Sequence, residues 1–375
     1  MDYQYPVIFV HGIQGSWLKN QYPVNYQDEV YWTGIMRKDF EKLYLNTADT
    51  SIDRDFDKFI FAHQAVPFVY ESIAGELREE ATKYTYLFTY DWRKDNRISA
   101  ALLGEFVKLV LKKAAIHYQQ EDPPREAPKK VALVGHSMGG LVIKWYVTQI
   151  LGREATSIVD KIVTIATPYR GSLKAVEALL PGARNFFGIE SQKAMRSASR
   201  TLPGVYQLLP SWDDAVIDKK SGKALSIFNH GNWQDNLLTK LREEYGVEFF
   251  QRMLDDAKGF TDRMKEDYSP ELAGRFYCAY GGGSETWRQV TVDREDGNWY
   301  AFDEIKKAGG EDKDGDGTVH GNSSIVKCAK THKDVKQAIE LGGQHAQMPN
   351  HGGVQDFVVS SLKKNEYIAP FASPR

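Results

Sequence analysis

Cysteine, net charge and long apolar runs are all scarce in this chain of 375 residues. Its two cysteines, Cys278 and Cys328, could form a disulfide, but a core of this size needs no covalent link, and we interpret them as two buried thiols. The formal net charge of -2 gives no electrostatic reason to expect a nucleic-acid partner. No apolar run approaches the length that spans a bilayer.

The start of the chain lacks the features of a signal peptide. Residues Met1–Pro6 carry neither a basic segment nor the apolar segment that follows it in such peptides. We therefore expect either a cytoplasmic protein or a mature form from which a targeting segment was removed. The remaining composition, 42% hydrophobic and 26% charged, is that of a globular protein with a substantial core.

Strand-like and helix-like segments alternate along most of the chain, which predicts an α/β fold with a mainly parallel sheet. The predicted strands are 6–10, 84–90, 129–134, 160–166 and 275–280. The predicted helices are 69–83, 98–118, 141–147 and 354–364. This alternation predicts a doubly wound core formed by residues 1–172 and 275–375.

Two intervals interrupt the alternation. Residues 14–69 carry weak periodicity with many aromatic and charged residues, and we expect a small excursion from the sheet edge. Residues 173–274 form a longer insertion with helical patterns near 237–242 and 247–255. Insertions after the carboxyl ends of strands lie over the active site in doubly wound sheets, so we expect a helical cap there and a contribution to the same wall from residues 14–69.

The segment Gly135-His136-Ser137-Met138-Gly139 follows a predicted strand and opens a predicted helix. Strand, sharp turn and helix are the context in which a Gly-x-Ser-x-Gly motif raises a nucleophilic serine. A Cβ at Gly135 or Gly139 would crowd the strained backbone of such a turn. A glycine-rich connection of a nucleotide-binding fold is the alternative, and the agreement with strand and helix favours Ser137 as a nucleophile.

A serine nucleophile needs a histidine base and an acid that orients it, in the chain order serine, acid, histidine on this type of sheet. We predict Asp316 as the acid, because it lies between two glycines in a tight loop, with Asp314 as the second choice.

The same loop begins like a calcium-binding loop, with acidic residues at 312, 314 and 316. The twelfth position of such a loop requires a bidentate Glu, and Ser323 stands there instead. We therefore expect no metal ion and no cofactor.

The base is predicted on the loop before the last helix, where Pro349-Asn350-His351-Gly352 occurs. We choose His351 and keep His345 as its rival. His320 and His332 are interpreted as ordinary loop or surface residues. The backbone N–H groups of Met138, after the nucleophile, and Ile13, after the first strand, are the predicted oxyanion-hole donors.

Several further motifs occur along the chain and indicate a more specific resemblance than the serine motif alone. They are Tyr90-Asp91-Trp92-Arg93, Ala166-Thr167-Pro168-Tyr169-Arg170-Gly171-Ser172, Leu208-Leu209-Pro210-Ser211, Tyr280-Gly281-Gly282-Gly283, Asp314-Gly315-Asp316-Gly317-Thr318-Val319 and a late Asn350-His351. Together with the serine motif, this set resembles the lecithin:cholesterol acyltransferase-like family. The resemblance implies an α/β-hydrolase fold with Ser137 as nucleophile, Asp316 as acid and His351 as base.

The family resemblance also implies an enzyme that cleaves lipid esters and often transfers the acyl group to an alcohol. We therefore expect a lipase, phospholipase or esterase acting on a lipid or other apolar ester, with an acyltransferase and a non-catalytic lipid-binding protein as alternatives. Contact with lipid surfaces is compatible with this expectation, and the oligomeric state stays open. The aromatic residues predicted to line the substrate pocket are Trp17, Tyr169, Phe186, Phe187 and Trp212.

Overall fold

A computed structural model describes residues 3–21, 29–33, 40–180, 193–266, 268–292, 311–312, 314–324, 338–342 and 344–363. Its strands are β1 (Val7–Val10), β2 (Ser16–Asn20), β3 (Glu29–Trp32), β4 (Ile60–Ala65), β5 (Thr85–Phe88), β6 (Val131–His136), β7 (Val159–Ile165), β8 (Val216–Asp218), β9 (Phe276–Gly282), β10 (Thr286–Trp287), β11 (Val290–Val292), β12 (Glu311–Asp312) and β13 (Ala338–Gly342).

The α-helices are α1 (Pro67–Glu76), α2 (Asn96–Gln119), α3 (Met138–Trp145), α4 (Ala155–Ile158), α5 (Leu173–Leu179), α6 (Lys193–Ser199), α7 (Pro203–Tyr206), α8 (Asp235–Glu244), α9 (Val247–Met264), α10 (Pro270–Ala273), α11 (Gly321–Ser324) and α12 (Gly352–Lys363). The π-helical turns Leu77–Ala81 and Tyr146–Leu151 extend α1 and α3. The 3-10 turns are Phe40–Lys42, Gly152–Glu154, His230–Asn232 and His345–Asn350. In the described part of the chain, every helix is too short or too polar to cross a bilayer.

Six of these strands form one sheet in the order β13-β9-β7-β6-β1-β5, and each neighbouring pair is parallel. Helices connect the strands, so the predicted α/β-hydrolase fold with a mainly parallel sheet is confirmed. Because the strands are parallel, their carboxyl ends meet at one edge of the sheet, which is where ligands bind in such folds.

Alternate residues of the central strands enter two different hydrophobic clusters. In β1, Ile8 and Val10 belong to one cluster, whereas Val7 and Phe9 belong to the other. Neighbouring side chains of a strand point to opposite faces of a sheet, so both faces of this sheet are covered. Helices α2 and α3 cover one face, and α1 and α12 cover the other.

The sequence analysis missed two parts of the strand pattern. The edge strand Ala338–Gly342 pairs with Phe276–Gly282 and extends the main sheet. Within residues 14–69, the strands Ser16–Asn20, Glu29–Trp32 and Ile60–Ala65 form a separate antiparallel sheet. Short edge strands carry little alternation of their own, because only tertiary pairing stabilises them.

A buried ion cluster joins this small sheet region to the core. The Arg93 guanidinium is fully buried, and it forms ion pairs with Asp91 at 2.6 Å and Asp53 at 2.8 Å. Trp92 packs against Trp32 with ring centroids 5.5 Å apart. The Tyr-Asp-Trp-Arg motif therefore links the excursion to the end of the β5 strand.

The described residues of the interval 173–274 pack into the same core as the main sheet. Leu173, Phe250 and Phe260 lie in the same hydrophobic cluster as Ile8 and Leu133 of the sheet. Helix α9 supplies much of this contact, since its buried residues recur at three- and four-residue intervals. The description of this interval as a cap stays a prediction.

Of the two cysteines, Cys278 lies in β9 and is buried, and its thiol contacts the backbone oxygen of Ser324 at 3.3 Å. Cys328 lies outside the described residues.

Candidate active site

Ser137 lies on the sharp turn between β6 and α3. Its backbone has φ 53° and ψ −128°, and only 4% of the residue is exposed. The turn requires glycines because other backbone atoms lie very close to it. A Cβ at Gly139 would lie 2.3 Å from the Val10 oxygen, and one at Gly135 would lie 2.9 Å from the Gly140 nitrogen. These contacts exclude larger residues from the turn, as the sequence pattern predicted.

Strained backbone is concentrated around this serine. The non-glycine residues with positive φ in the described ranges are Gln14, Ser137 and Ala166. Each follows the carboxyl end of one of three adjacent strands, β1, β6 and β7. Positive φ costs non-glycine residues energy and is often retained at functional sites, so this edge of the sheet is the candidate active site.

His345 contacts both the serine and the predicted acid. Its Nε2 lies 2.8 Å from Ser137 Oγ, and its Nδ1 lies 2.7 Å from Asp316 Oδ2. A carboxylate only accepts hydrogen bonds, so Nδ1 carries the proton and Nε2 is left to accept one from the serine hydroxyl. This is the geometry of a nucleophile, a base and an acid that orients the base.

Asp316 is held firmly in its loop. Its Oδ1 accepts hydrogen bonds from the backbone N–H groups of Thr318 at 3.0 Å and Val319 at 2.7 Å. A Cβ at Gly281 would lie 2.3 Å from Asp316 Cβ, so the end of β9 passes directly against the carboxylate. The second choice, Asp314, is used differently: its backbone oxygen accepts the Gly321 N–H.

The structure corrects the predicted base from His351 to His345. His351 is exposed, and its backbone oxygen accepts hydrogen bonds from the first turn of α12. His345 follows the edge strand β13 and begins the 3-10 turn, where its N–H donates to the Asp316 backbone oxygen at 3.1 Å. The missed signal was the strand Ala338–Gly342, because a residue just beyond its carboxyl end belongs at the site edge.

The loop after β1 lies against Ser137, the candidate nucleophile. A Cβ at Gly12 would be 2.7 Å from Ser137 Cβ and 3.3 Å from Ser137 Oγ. Ile13 follows on this loop, and Met138 begins α3, where the first N–H groups of a helix have no partner within the helix. The two residues predicted to supply oxyanion donors thus lie on the segments that flank Ser137.

Two buried side chains that the sequence analysis did not identify, His136 and Tyr70, connect these segments. The His136 Nε2 lies 3.1 Å from the His345 backbone oxygen, which can only accept, so Nε2 carries a proton. Burial, followed by the proximity of His345, holds the pKa of His136 well below its ordinary value, so the ring is neutral. The Tyr70 hydroxyl, 2.9 Å from Nδ1, therefore donates to that nitrogen.

Tyr70 in turn accepts the Gly12 N–H at 3.0 Å. The resulting chain of hydrogen bonds runs from Gly12 through Tyr70 and His136 to the backbone of His345. Burial raises the pKa of Tyr70, which keeps the hydroxyl protonated as this chain requires. A tyrosine on a helix and a histidine beside the nucleophile carry no sequence signal for such a contact, because it joins residues 66 and 209 positions apart.

His11 anchors the same loop from its other side. Its Nδ1 donates to the Gly12 oxygen at 2.8 Å, and its Nε2 accepts the Tyr90 N–H at 3.2 Å. Its ring stacks on that of Tyr90 with centroids 4.3 Å apart. Burial lowers the pKa of His11 to about 4, so both nitrogens keep these roles at neutral pH.

The predicted pocket-lining residues are not all at one cavity. Trp212 lines two cavities of about 300 and 270 Å³, and its indole N–H donates to the Arg288 oxygen. Tyr169 is 5% exposed and packs in the main hydrophobic cluster, and Trp17 packs against the second cluster. Phe186 and Phe187 lie outside the described residues. That these five aromatic residues line one acyl pocket stays a prediction.

Among the side chains that the structure describes, no group of three or more His, Cys, Asp or Glu could hold a metal ion. In the loop considered for calcium, the Ser323 hydroxyl instead donates to the Gly171 backbone oxygen at 2.6 Å.

Known proteins similar to this chain act on lipids according to their names. The profile of the family described as Lecithin:cholesterol acyltransferase matches residues 78–270. Phospholipase A(1) LCAT3 of Arabidopsis thaliana is 31% identical over 133 residues, which cover 34% of this chain and 27% of that protein. Phosphatidylcholine-sterol acyltransferase of Gallus gallus is 23% identical over 257 residues, which cover 67% of this chain and 55% of that protein.

The matched regions thus span from about a quarter to about half the length of these two curated relatives. Among solved structures, a chain of the Tle4-Tli4 complex superposes with a TM-score of 0.61 at 16% identity, covering 97% of this chain and 99% of that one. At that identity the match shows a shared fold.

Proposed function

This chain belongs to the lecithin:cholesterol acyltransferase family, and we propose that it is a serine hydrolase that cleaves carboxylic esters of lipids through an acyl-enzyme. The observation that carries the proposal is the contact of His345 with both Ser137 and Asp316, at 2.8 and 2.7 Å. Membership of this family supports a lipid substrate, and the contact supports acyl-enzyme chemistry.

In the proposed reaction, Ser137 Oγ attacks the ester carbonyl and its proton moves to His345 Nε2. Asp316 stabilises the imidazolium that forms, and the N–H groups of Ile13 and Met138 bind the oxyanion. Collapse of the tetrahedral intermediate breaks the bond to the alcohol, which leaves with the proton from His345. Water then attacks the acyl-enzyme by the same steps and releases the fatty acid.

A fluorophosphonate probe tests the nucleophile directly. We expect one covalent adduct, located at Ser137 by peptide mass spectrometry, and hydrolysis of p-nitrophenyl esters that falls by at least about 10⁴-fold in Ser137→Ala. Ser221→Ala is the matched control, because that serine is exposed in a surface turn, and it should behave as wild type. Labelling that persists in Ser137→Ala, or esterase activity that does, would refute the proposal.

Transfer of the acyl group to an alcohol is the second candidate. It is supported by the burial of the reacting groups, since Ser137 is 4% exposed and the His345 side chain 12%. A site that excludes water favours a bound alcohol as acceptor. A labelled ester incubated with excess alcohol distinguishes the two: a new labelled ester supports transfer, and labelled free acid alone supports hydrolysis.

We further propose that residues 173–274 act as a cap that supplies the acyl pocket. A series of p-nitrophenyl esters of increasing chain length measures the depth of that pocket. Tight fatty-acid binding without turnover of any ester in the series would instead indicate a non-catalytic lipid-binding protein.

A further inference from the structure

Gln14 combines two unfavourable features on the loop that lies against Ser137. Its backbone has φ 60°, in the left-handed region that glycine adopts at lower energy. Its side chain is fully buried, and neither Oε1 nor Nε2 has a hydrogen-bond partner in the described part of the chain. Strained backbone and unpaired buried polar atoms both reduce stability, so their coincidence at one residue indicates a functional role.

The main chain of this turn is held by hydrogen bonds, in contrast to the Gln14 side chain. The Gly15 N–H donates to the Gly12 oxygen at 3.1 Å, which closes a β-turn over these residues. The Trp32 indole N–H donates to the Gln14 oxygen at 3.0 Å, and the Gly15 oxygen accepts the Val66 N–H at 2.9 Å. The backbone of the turn is therefore fixed, as a preorganised oxyanion site requires.

The same turn brings Gln14 close to the nucleophile. Gly12, at the start of the turn, is packed so tightly on Ser137 that a Cβ there would lie 3.3 Å from Ser137 Oγ. The ends of a β-turn lie within about 7 Å of each other, and Gln14 is its third residue. This spacing allows the Gln14 side chain to extend toward the carbonyl oxygen of an ester bound at Ser137.

Conformational preference alone would select glycine at this position. In the described ranges, six glycines adopt positive φ, and the other residues that do so are Gln14, Ser137 and Ala166. Ser137 has a chemical reason for its strain, because the sharp turn raises the nucleophile. Gln14 lies at the same edge of the sheet, and its side-chain amide is the group that a glycine could not supply.

We propose that Gln14 is a third oxyanion donor. When Ser137 adds to the ester carbonyl, the Gln14 Nε2–H donates to the negatively charged oxygen beside the N–H groups of Ile13 and Met138. This inference rests on the proposed function and adds one side chain to its two backbone donors. A buried donor without a protein acceptor has no hydrogen bond to break as the charge develops, so the amide reduces stability and stabilises the transition state.

The substitution Gln14→Met removes the amide and keeps an unbranched side chain. We expect kcat for a p-nitrophenyl ester to fall about 10²-fold with KM within about twofold of wild type, because the donor acts on the transition state. The urea midpoint of unfolding should rise, because an apolar group replaces an unpaired buried amide. A purely structural role would instead lower that midpoint.

A thionoester of the same acid provides a second measurement. Sulfur is a weak hydrogen-bond acceptor, so loss of an oxyanion donor should slow the reaction of the ester more than that of the thionoester. In Gln14→Met we expect the ratio of kcat/KM for the ester to that for the thionoester to fall about tenfold. A general distortion of the loop would slow both substrates equally.

Gln149→Met is the matched control. Gln149 lies in the π-helical turn that extends α3, and its amide donates to Glu266 at 2.7 Å. This substitution removes a paired amide away from the oxyanion loop. It should leave kcat and the ratio of ester to thionoester unchanged, and it should not raise the urea midpoint.

Several results would overturn the assignment of Gln14. They are an unchanged kcat in Gln14→Met, equal losses for ester and thionoester, a lowered urea midpoint, and a rise in KM at constant kcat. Each of these would leave the hydrolase itself intact, because fluorophosphonate would still label Ser137 in the wild type. Absence of that labelling would instead reject the proposed function.

Discussion

His136 donates a hydrogen bond from its Nε2 to the backbone oxygen of His345, across 3.1 Å. The residue that precedes the candidate nucleophile therefore holds the turn that carries the candidate base. The two rings lie 5.1 Å apart, and the proximity of His345 adds to burial in lowering the pKa of His136. Protonation of His136 would leave this hydrogen bond in place, since Nε2 keeps its proton, but it would remove the Nδ1 acceptor of the Tyr70 hydroxyl.

Replacing His345 and His351 one at a time tests which of them is the base. His345→Gln should lower kcat by about 10⁴-fold, because the serine loses its proton acceptor. His351→Gln should stay within about twofold of wild type, because that side chain is exposed and His345, not His351, contacts Ser137 Oγ. Steady-state kinetics with a p-nitrophenyl ester measure both, and the reverse order of effects would restore His351 as the base.

Tyr70 is predicted to position the oxyanion loop. Tyr70→Phe removes the acceptor of the Gly12 N–H and the donor to His136, and we expect kcat to fall about tenfold with KM little changed. Tyr86→Phe is the control, since that ring lies on the edge strand β5 beneath Lys113. A rise in KM at constant kcat in Tyr70→Phe would indicate a role in substrate binding instead.

The lowered pKa values of His11 and His136 should make the fold sensitive to mild acid. The pKa of His11 is about 4 in the folded chain and near 6.5 when unfolded, and the pKa of His136 is also lowered. Between these values the unfolded chain binds more protons, so the free energy of unfolding is highest above pH 6.5 and falls as the pH drops toward 4.

For His11 alone, the expected loss between pH 7 and pH 5 is about 2 kcal/mol. Urea unfolding at the two pH values measures it. His136→Gln should reduce the difference by removing one of the two groups, whereas His351→Gln, at an exposed position, should not alter it. Equal free energies of unfolding at pH 7 and pH 5 in the wild type would contradict the neutral state assigned to these rings.

The ion cluster of Arg93 should be essential for stability. Arg93→Met leaves Asp53 and Asp91 nearly buried without their cation, and we expect a loss of about 3–5 kcal/mol in the free energy of unfolding. Arg54→Ala is the control within the same excursion, because its ion pair with Asp55 is exposed and worth less than about 1 kcal/mol. Similar losses of unfolding free energy in Arg93→Met and Arg54→Ala would show that burial does not determine how much each ion pair stabilises the fold.

Much of the site was predictable from local patterns. Gly135, Ser137 and Gly139 could be identified because a sharp strand-to-helix turn restricts residue type at each position. Asp316 could be chosen because its flanking glycines form a tight loop. Each of these inferences depends on backbone conformation within a few residues, and the positions of glycine in the sequence indicate such conformation directly.

The choice between His345 and His351 could not be made in this way. The two lie six residues apart before the same helix, and what separates them is the strand Ala338–Gly342, which exists only through its pairing with Phe276–Gly282. The same holds for the hydrogen-bond chain through Tyr70. The sequence by itself determined the fold class, through its alternation of strands and helices, and it identified the candidate nucleophile Ser137 and the candidate acid Asp316, because local steric rules restrict the residues around them. The tertiary structure alone decided which histidine meets them, because strand pairing brings together residues that are distant in the chain.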